Sequence, residues 1–233
     1  MNTMLEVIVT TVEDAIIAEA GGADRLELCV SMDEGGVTPS LGKIKNVIGA
    51  VDIPVYVMLR PHGNSFHYTE EDFSVMLDDL RVIQLFGAKG VVFGGLTFEN
   101  RIDHIILKDM LPHCEGLGVT FHRAFDEAED QLEALKQIAK HQPITRILTA
   151  GGPGKAPDQI EQIEKLLRAT EDYPFELLIG SGVTPANAQQ FLDIGAKELH
   201  VGSAVRFNNS FHKPINIELI RDMKETMEAH FNQ

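Results

Sequence analysis

The residues best equipped for chemistry stand in the middle of the chain, in the run Thr120-Phe121-His122-Arg123-Ala124-Phe125-Asp126. A short β-rich segment ends in this run, and a helical pattern begins near Gln131. Titratable side chains at the end of an apolar strand contribute little to a core, so we expect His122 to face a pocket with Asp126 nearby. A histidine tuned by a carboxylate can transfer protons near neutral pH or bind a soft or borderline metal, and both roles stay open.

A second group of candidates lies in the segment 25–29, which has the pattern of a strand. Arg25, Glu27 and Cys29 share one face by the period of two, and two leucines occupy the other face. The leucines suit a face covered by helices, so the polar set is expected to point into the interior. Glu27 is then a candidate acid/base group and Cys29 a candidate ligand for a soft metal. The alternatives are an ion pair of Arg25 with Glu27 or Glu6, and a thiol that only packs.

Candidate anion-binding residues lie at the ends of other predicted strands. Arg60 precedes a glycine-containing loop and has the donors to hold an anionic group, although it could instead brace that loop. Glycine-rich segments near the last three strands allow backbone N–H groups to approach a phosphate or carboxylate. The candidates there are Thr149, Gly151, Gly152, Gly180, Gly182, Gly202 and Ser203.

The elements that would position these residues alternate along the whole chain. Strand patterns cover 5–10, 25–29, 55–59, 91–93, 119–122, 146–149, 176–179 and 198–201, and a helical pattern follows each of them. Eight such units in 233 residues predict an α/β fold of the (β/α)₈ TIM-barrel type, in a single domain over residues 1–233. An open doubly wound sheet is the runner-up. In a barrel all strand ends meet at one face, so the candidates are expected to share a pocket.

Two helix starts can be predicted from local sequence. Thr69 with Asp72 resembles a capping box, in which an acidic residue at the third helical position accepts from the N-cap backbone. Thr184 followed by Pro185 has the pattern of an N-cap and first helical residue, so the seventh helix is expected to begin there.

Composition narrows the classes of partner. A formal charge of −15 argues against nucleic acid and against anionic membrane surfaces. No apolar run approaches the ~20 residues of a membrane span, and the N-terminus lacks a signal-peptide pattern, so we expect a cytoplasmic protein. The two cysteines, Cys29 and Cys114, exclude a disulfide scaffold and a four-cysteine zinc site. Apolar residues at several helix ends are compatible with a homodimer.

Together the strand-end motifs resemble the copper homeostasis protein CutC family over nearly the whole chain. The matching segments are GADRLELC at 22–29, GGVTPS at 35–40, GVVFG at 90–94, FHRAFD at 121–126, RILT at 146–149 with the following Gly151-Gly152, and ELH at 198–200. The resemblance implies a cytoplasmic (β/α)₈ barrel that binds copper and serves copper tolerance or trafficking. It makes Cys29, His122 and His200 candidate ligands for Cu(I).

This chain departs from the family pattern at two places. Many relatives carry a cysteine where Ile8 stands here, so a two-cysteine Cu(I) site lacks one thiol, and Met32 or Met58 is a candidate replacement donor. The loop after Arg60 has His62 where relatives usually carry a second arginine.

A function of another class stays open beside copper binding. A barrel of this kind could be an enzyme for a small phosphorylated or carboxylated metabolite, because fold alone does not fix function. Glu27, His122 and Asp126 would then move protons, while Arg60 and the glycine-rich loops would hold the anionic group.

Overall fold

Eight parallel strands close into a barrel in the computed structural model of the chain, which describes residues 3–231. The strands follow one another in chain order, and the eighth pairs with the first to complete the ring. Their bounds are β1 Met4–Val9, β2 Arg25–Leu28, β3 Val55–Met58, β4 Gly90–Phe93, β5 Gly118–Phe121, β6 Ile144–Thr149, β7 Glu176–Ile179 and β8 Glu198–Val201. The predicted TIM barrel is confirmed, and the sheet is not the open, doubly wound one.

An α-helix follows each strand and covers the outside of the barrel. The helices are α1 Val12–Ala20, α2 Leu41–Ile48, α3 Glu70–Leu85, α4 His104–Met110, α5 Gln131–Ile138, α6 Ile160–Ala169, α7 Ala188–Asp193 and α8 Ile217–Phe231. In α8 the fully buried side chains of Ile220, Met223 and Met227 recur every three to four residues, as expected for one apolar stripe facing the strands. Burying each such side chain contributes roughly 1.5–3 kcal/mol.

The two predicted helix starts have different outcomes. Thr69 caps α3 in a capping box with Asp72, whose carboxylate accepts from the Thr69 backbone N–H at 2.9 Å, so that prediction is confirmed. The predicted start at Thr184 is wrong, because α7 begins at Ala188. The Asn187 side chain accepts from the Thr184 N–H at 2.8 Å and holds a turn ahead of the helix.

The barrel interior contains an apolar cluster that is separate from the outer core. Ile8, Cys29, Tyr56, Met58 and Val92 form this inner cluster. Tyr56 occupies the space left by two strand glycines: a β-carbon on Gly118 would lie 2.0 Å from the Tyr56 hydroxyl oxygen. The absence of a side chain there lets the large ring fit inside the barrel.

Charged side chains fill the rest of the interior and are mostly paired. The Arg25 Nε donates to Glu6 Oε2 at 2.5 Å, and Arg146 Nε donates to Glu198 Oε2 at 2.6 Å. The Arg25 guanidinium also stacks on the Tyr56 ring at 4.3 Å from its centroid. The expectation that the polar face of 25–29 points inward is confirmed, and Arg25 pairs with Glu6 rather than with Glu27.

Among residues 3–231, no helix is both long and apolar enough to cross a bilayer.

Candidate functional site

A cavity of about 610 Å³ opens at the face where the strands end. Its size lies in the range of small-molecule sites, which runs from roughly 300 to 1,000 Å³. Side chains and loops from seven of the eight strands line it, and they include three cations and one carboxylate: Glu27, Arg60, Arg123 and Lys155. The cavity therefore collects positive charge in a chain whose net charge is −15.

Two glutamates and one histidine form a buried chain at the base of this cavity. His200 Nδ1 lies 2.7 Å from Glu6 Oε1, and His200 Nε2 lies 3.8 Å from Glu27 Oε2. Among the described residues these three form the one cluster of imidazole, thiol or carboxylate groups whose atoms all lie within 4.8 Å of one another. Both carboxylates can therefore share a proton or a positive charge with the same imidazole.

The two glutamates have opposite pKa shifts. Burial acts to raise the pKa of Glu6, but Arg25 and His200 outweigh burial and lower it to about 2. Burial and the nearby Glu6 raise the pKa of Glu27 to about 7, against the opposing effect of His200 and Arg25. Burial acts to lower the pKa of His200. The nearby Glu27 and Glu6 together outweigh burial, so the pKa of His200 is raised. Glu6 is thus a fixed anion, and Glu27 titrates near neutral pH.

Three sulfur side chains meet beside Glu27. The buried Cys29 thiol contacts Met32 Sδ at 3.1 Å and Glu27 Oε2 at 3.9 Å. The Met58 methyl group lies close to the same thiol. Both groups are 3.6 Å from the position that a β-carbon on Gly36 would occupy, and Gly36 has a positive φ of 91°. Burial and the adjacent Glu27 raise the pKa of the Cys29 thiol well above its usual range. We call Cys29, Met32 and Met58 the sulfur cluster.

His122 stands at the end of β5 and faces the cavity. Its Nδ1 accepts from the Ala124 N–H at 3.3 Å, and its ring lies 4.8 Å from the Phe66 ring. Burial and the nearby Arg60 lower the pKa of His122 to about 3, so the ring is neutral. Because Nδ1 accepts, the proton sits on Nε2, which has no hydrogen-bond partner among the described protein atoms.

Asp126 makes no hydrogen bond to His122. Its carboxylate accepts from the Thr149 hydroxyl at 2.5 Å, from the Ala150 N–H at 3.0 Å and from Arg123 Nε at 2.7 Å. Burial raises the pKa of Asp126. These bonds fasten the loop after β5 to the end of β6. Asp126 therefore does not tune His122, which was one of its two possible roles, and it does not line the cavity, where an acid/base group would act.

Arg60 braces its loop, which is the alternative that the sequence left open. Its Nη1 donates to the carbonyls of Glu34 and Gly36 at 3.0 and 3.1 Å, and Nη2 donates to the Gly63 carbonyl at 3.2 Å. Its guanidinium lies over the Phe66 ring at 4.5 Å from the centroid. Both terminal nitrogens are therefore engaged, and only Nε is left without a partner.

The predicted anion-binding residues divide into two sets. Gly182, Gly202 and Ser203 line the cavity together with Arg60. The others lie outside the lining: Thr149, Gly151, Gly152 and Gly180. Within that second set Thr149 accepts from the Gly151 N–H at 2.8 Å, and a β-carbon on Gly180 would lie 3.0 Å from the His200 ring.

The comparisons with known proteins agree on one family. The model of the CutC family matches residues 3–205. The human copper homeostasis protein cutC homolog is 39% identical over 214 residues, which is 89% of this chain and 78% of the human protein. The chain belongs to the CutC family. A CutC family protein from Yersinia pestis (strain Pestoides F) is 41% identical over 198 residues, covering 85% of this chain and 78% of that protein.

One solved structure gives the same family, and a second gives the same fold. The putative copper homeostasis protein CutC from Streptococcus agalactiae superposes with a TM-score of 0.79 at 30% identity, over 86% of this chain and 98% of that one. Thiamine phosphate pyrophosphorylase from Pyrococcus furiosus superposes with a TM-score of 0.61 at 16% identity, over 98% and 96% of the two chains. That second likeness concerns the barrel alone.

The three predicted copper ligands do not form one cluster among the described residues, although Cys29 Sγ and His200 Nε2 lie 3.9 and 3.8 Å from the same oxygen, Glu27 Oε2. His200 contacts Glu6 and Glu27, His122 contacts Phe66, and Cys29 contacts Met32. Sequence reasoning named Glu6 only as a possible ion-pair partner of Arg25, not as a neighbour of His200 at the cavity, and it missed Lys155. The position of Glu6 could have been predicted, because Glu6 and Ile8 are two residues apart on β1 and therefore share its inward face. Lys155 lies in a loop, where no periodic pattern indicates which way a side chain faces.

Proposed function

We propose that this CutC chain serves copper homeostasis in the cytoplasm by binding Cu(I) at the sulfur cluster. Relatives with 39% and 30% identity carry the name copper homeostasis protein, which supports the general role. The observation that carries the site is the 3.1 Å contact between Cys29 Sγ and Met32 Sδ, with Met58 in the same inner cluster as Cys29. Cu(I) prefers thiolate and thioether ligands over nitrogen and oxygen.

The donor set fits Cu(I) better than it fits a harder ion. Ile8 lies in the same inner cluster as Cys29, so β1 offers no second thiol there. Two methionines supply soft sulfur atoms in its place, and their thioethers need no deprotonation. The predicted ligands His122 and His200 have less support, because His200 is already engaged by Glu6 and Glu27.

Copper delivery to this cluster has a direct route from solution. Met32 and Met58 line the cavity, whereas Cys29 lies behind them with 0% exposure. An incoming ion would meet the thioethers first and the thiol second. The Cys29 thiol must lose its proton on binding, and Glu27 Oε2 at 3.9 Å already accepts its hydrogen bond.

An anaerobic competition between the protein and a Cu(I) chelator tests the proposal. We expect wild type to bind one Cu(I), and Cys29→Ala to weaken binding by more than about tenfold, or roughly 1.4 kcal/mol. Met32→Leu and Met58→Leu should each weaken it by less. Cys114→Ala and Met76→Leu are matched controls, because both side chains are buried away from the cluster.

Two results would contradict this proposal. Unchanged affinity in Cys29→Ala would exclude the sulfur cluster as the site. Weak or absent Cu(I) binding by wild type would exclude direct copper binding by this chain.

A further inference from the structure

Among the described residues, nine buried side-chain polar atoms have no hydrogen-bond partner in the protein, and three of the nine belong to residues that line the cavity. They are Glu27 Oε1, Arg60 Nε and His122 Nε2, and their residues are 2%, 4% and 2% exposed. All three residues line the same cavity of about 610 Å³. Leaving a buried polar atom unpaired costs free energy, so such atoms are rare in folded proteins. Their convergence on one cavity indicates that a bound molecule completes their hydrogen bonds.

The three atoms define what that molecule must offer. His122 Nε2 is a donor, since Nδ1 accepts from the Ala124 N–H. Arg60 Nε is also a donor, because a guanidinium has no acceptor. Glu27 Oε1 is an acceptor when the carboxyl group is ionised. The molecule must therefore present oxygen acceptors to His122 and Arg60 and a hydroxyl hydrogen to Glu27.

The mouth of the cavity has the chemistry of an anion site. Lys155 is exposed on the rim and Arg123 is half-buried beside it. Ser181 and Gly182, in the loop after β7, have successive positive φ values of 69° and 85°, and both line the cavity. The loops after the seventh and eighth strands are where this fold commonly holds phosphate.

We propose that this cavity binds a small phosphorylated polyhydroxy compound, with its phosphate at Lys155 and the loop after β7 and its hydroxyl groups at Glu27 and His122. This ligand site goes beyond copper binding and does not depend on it. Ile8, Leu148 and Phe211 line the cavity between the polar groups and contact the carbon chain. The copper site adjoins this cavity, because Met32 and Met58 line it while Cys29 lies outside the lining. Cys29 therefore distinguishes the copper site, and Lys155 and His122 distinguish the ligand site.

Calorimetric titration of the metal-free, full-length chain tests the proposal with a panel of triose, pentose and hexose phosphates. Ribose, inorganic phosphate and ribonate serve as the matched probes for ribose 5-phosphate. We expect at least one sugar phosphate to bind more than about tenfold tighter than its free sugar and than inorganic phosphate. No binding across the panel overturns the proposal. Equal affinity for inorganic phosphate overturns the hydroxyl contacts, and tighter binding of ribonate overturns the phosphate assignment.

Variants locate the ligand in the cavity. Lys155→Gln changes an exposed side chain, so folding is unaffected. It should weaken sugar phosphate binding about tenfold while leaving the affinity for the free sugar unchanged.

His122→Asn keeps an acceptor for the Ala124 N–H but removes the Nε2 donor, and it should also weaken sugar phosphate binding. His122→Gln places an amide nitrogen near the lost donor and should restore part of the affinity. His113→Asn, on an exposed histidine, is the control. Wild-type affinity in both Lys155→Gln and His122→Asn overturns the assignment of the site.

Discussion

Glu6 and Glu27 project into the same barrel from neighbouring strands, yet their surroundings differ. Glu6 belongs to a paired layer, which comprises Glu6, Arg25, Arg146 and Glu198, and each carboxylate there accepts from an arginine within 2.6 Å. Glu27 lies one layer nearer the strand ends, opposite Ile8, and keeps one oxygen without a partner. Identical side chains therefore stabilise the fold where they are paired and leave binding capacity where they are not.

Removing the charge from the paired layer should have the largest effect on stability. Glu6→Gln leaves Arg25 as a buried cation without its anion, so we expect a loss of roughly 3–5 kcal/mol in the free energy of unfolding. Urea titration followed by circular dichroism measures it. Glu225→Gln, on the exposed face of α8, is the matched control and should change stability by less than about 0.5 kcal/mol. An equal, small effect for both variants would refute the distinction between paired and unpaired layers.

The packing of the paired layer gives the next largest effect. Gly118→Ala would put a β-carbon 2.0 Å from the Tyr56 hydroxyl oxygen, in the part of the barrel where Tyr56 also supports Arg25. We expect a loss of about 1–3 kcal/mol, the usual range for overpacking a core. Gly118→Ala in a Tyr56→Phe background should cost less, since the clashing oxygen is gone. If Gly118→Ala costs the same in both backgrounds, the Tyr56 hydroxyl is not what excludes a side chain at this position.

A pH series compares the two glutamates directly. Glu6 has a folded pKa of about 2 against a usual value of 4.5, so its contribution is present above pH 4.5 and is lost as pH falls toward 2. Glu27 has a folded pKa of about 7, so it favours the folded state most below pH 4.5 and loses that contribution as pH rises toward 7.

Glu27→Gln should therefore gain stability relative to wild type between about pH 5 and pH 8, whereas Glu6→Gln should show no such gain. Urea unfolding of wild type and both variants at about pH 5 and about pH 8 measures these free energies of unfolding. Parallel pH profiles for wild type and Glu27→Gln would contradict the raised pKa of Glu27.

The barrel and the inward face of 25–29 could be predicted because periodicity is a local property of the sequence. The surroundings of Asp126 could not, since its partners Thr149 and Ala150 lie 23 and 24 residues away and are brought together by closure of the barrel. The contact of Cys29 with Met32 depends on a turn in which Ser31 has φ 53°, and no pattern in the sequence signals that turn.

The unpaired atoms were also beyond sequence analysis. The sequence shows that histidine, arginine and glutamate stand at strand ends. It does not show which of their polar atoms are already hydrogen-bonded and which are left without a partner. Arg60 illustrates the difference. Its strand-end position left open whether its donors hold an anion or brace the loop, and in the structure the carbonyls of Glu34, Gly36 and Gly63 occupy both terminal nitrogens.

X-ray absorption spectroscopy at the copper edge tests most directly whether the sulfur cluster, rather than the histidines, is the copper site. The sample is the full-length chain loaded with one equivalent of Cu(I) under anaerobic conditions. The account predicts a coordination shell made of sulfur alone, with Cys29→Ala losing the thiolate contribution. A shell dominated by imidazole nitrogen, unchanged in Cys29→Ala, would contradict it and return His122 and His200 as the ligands.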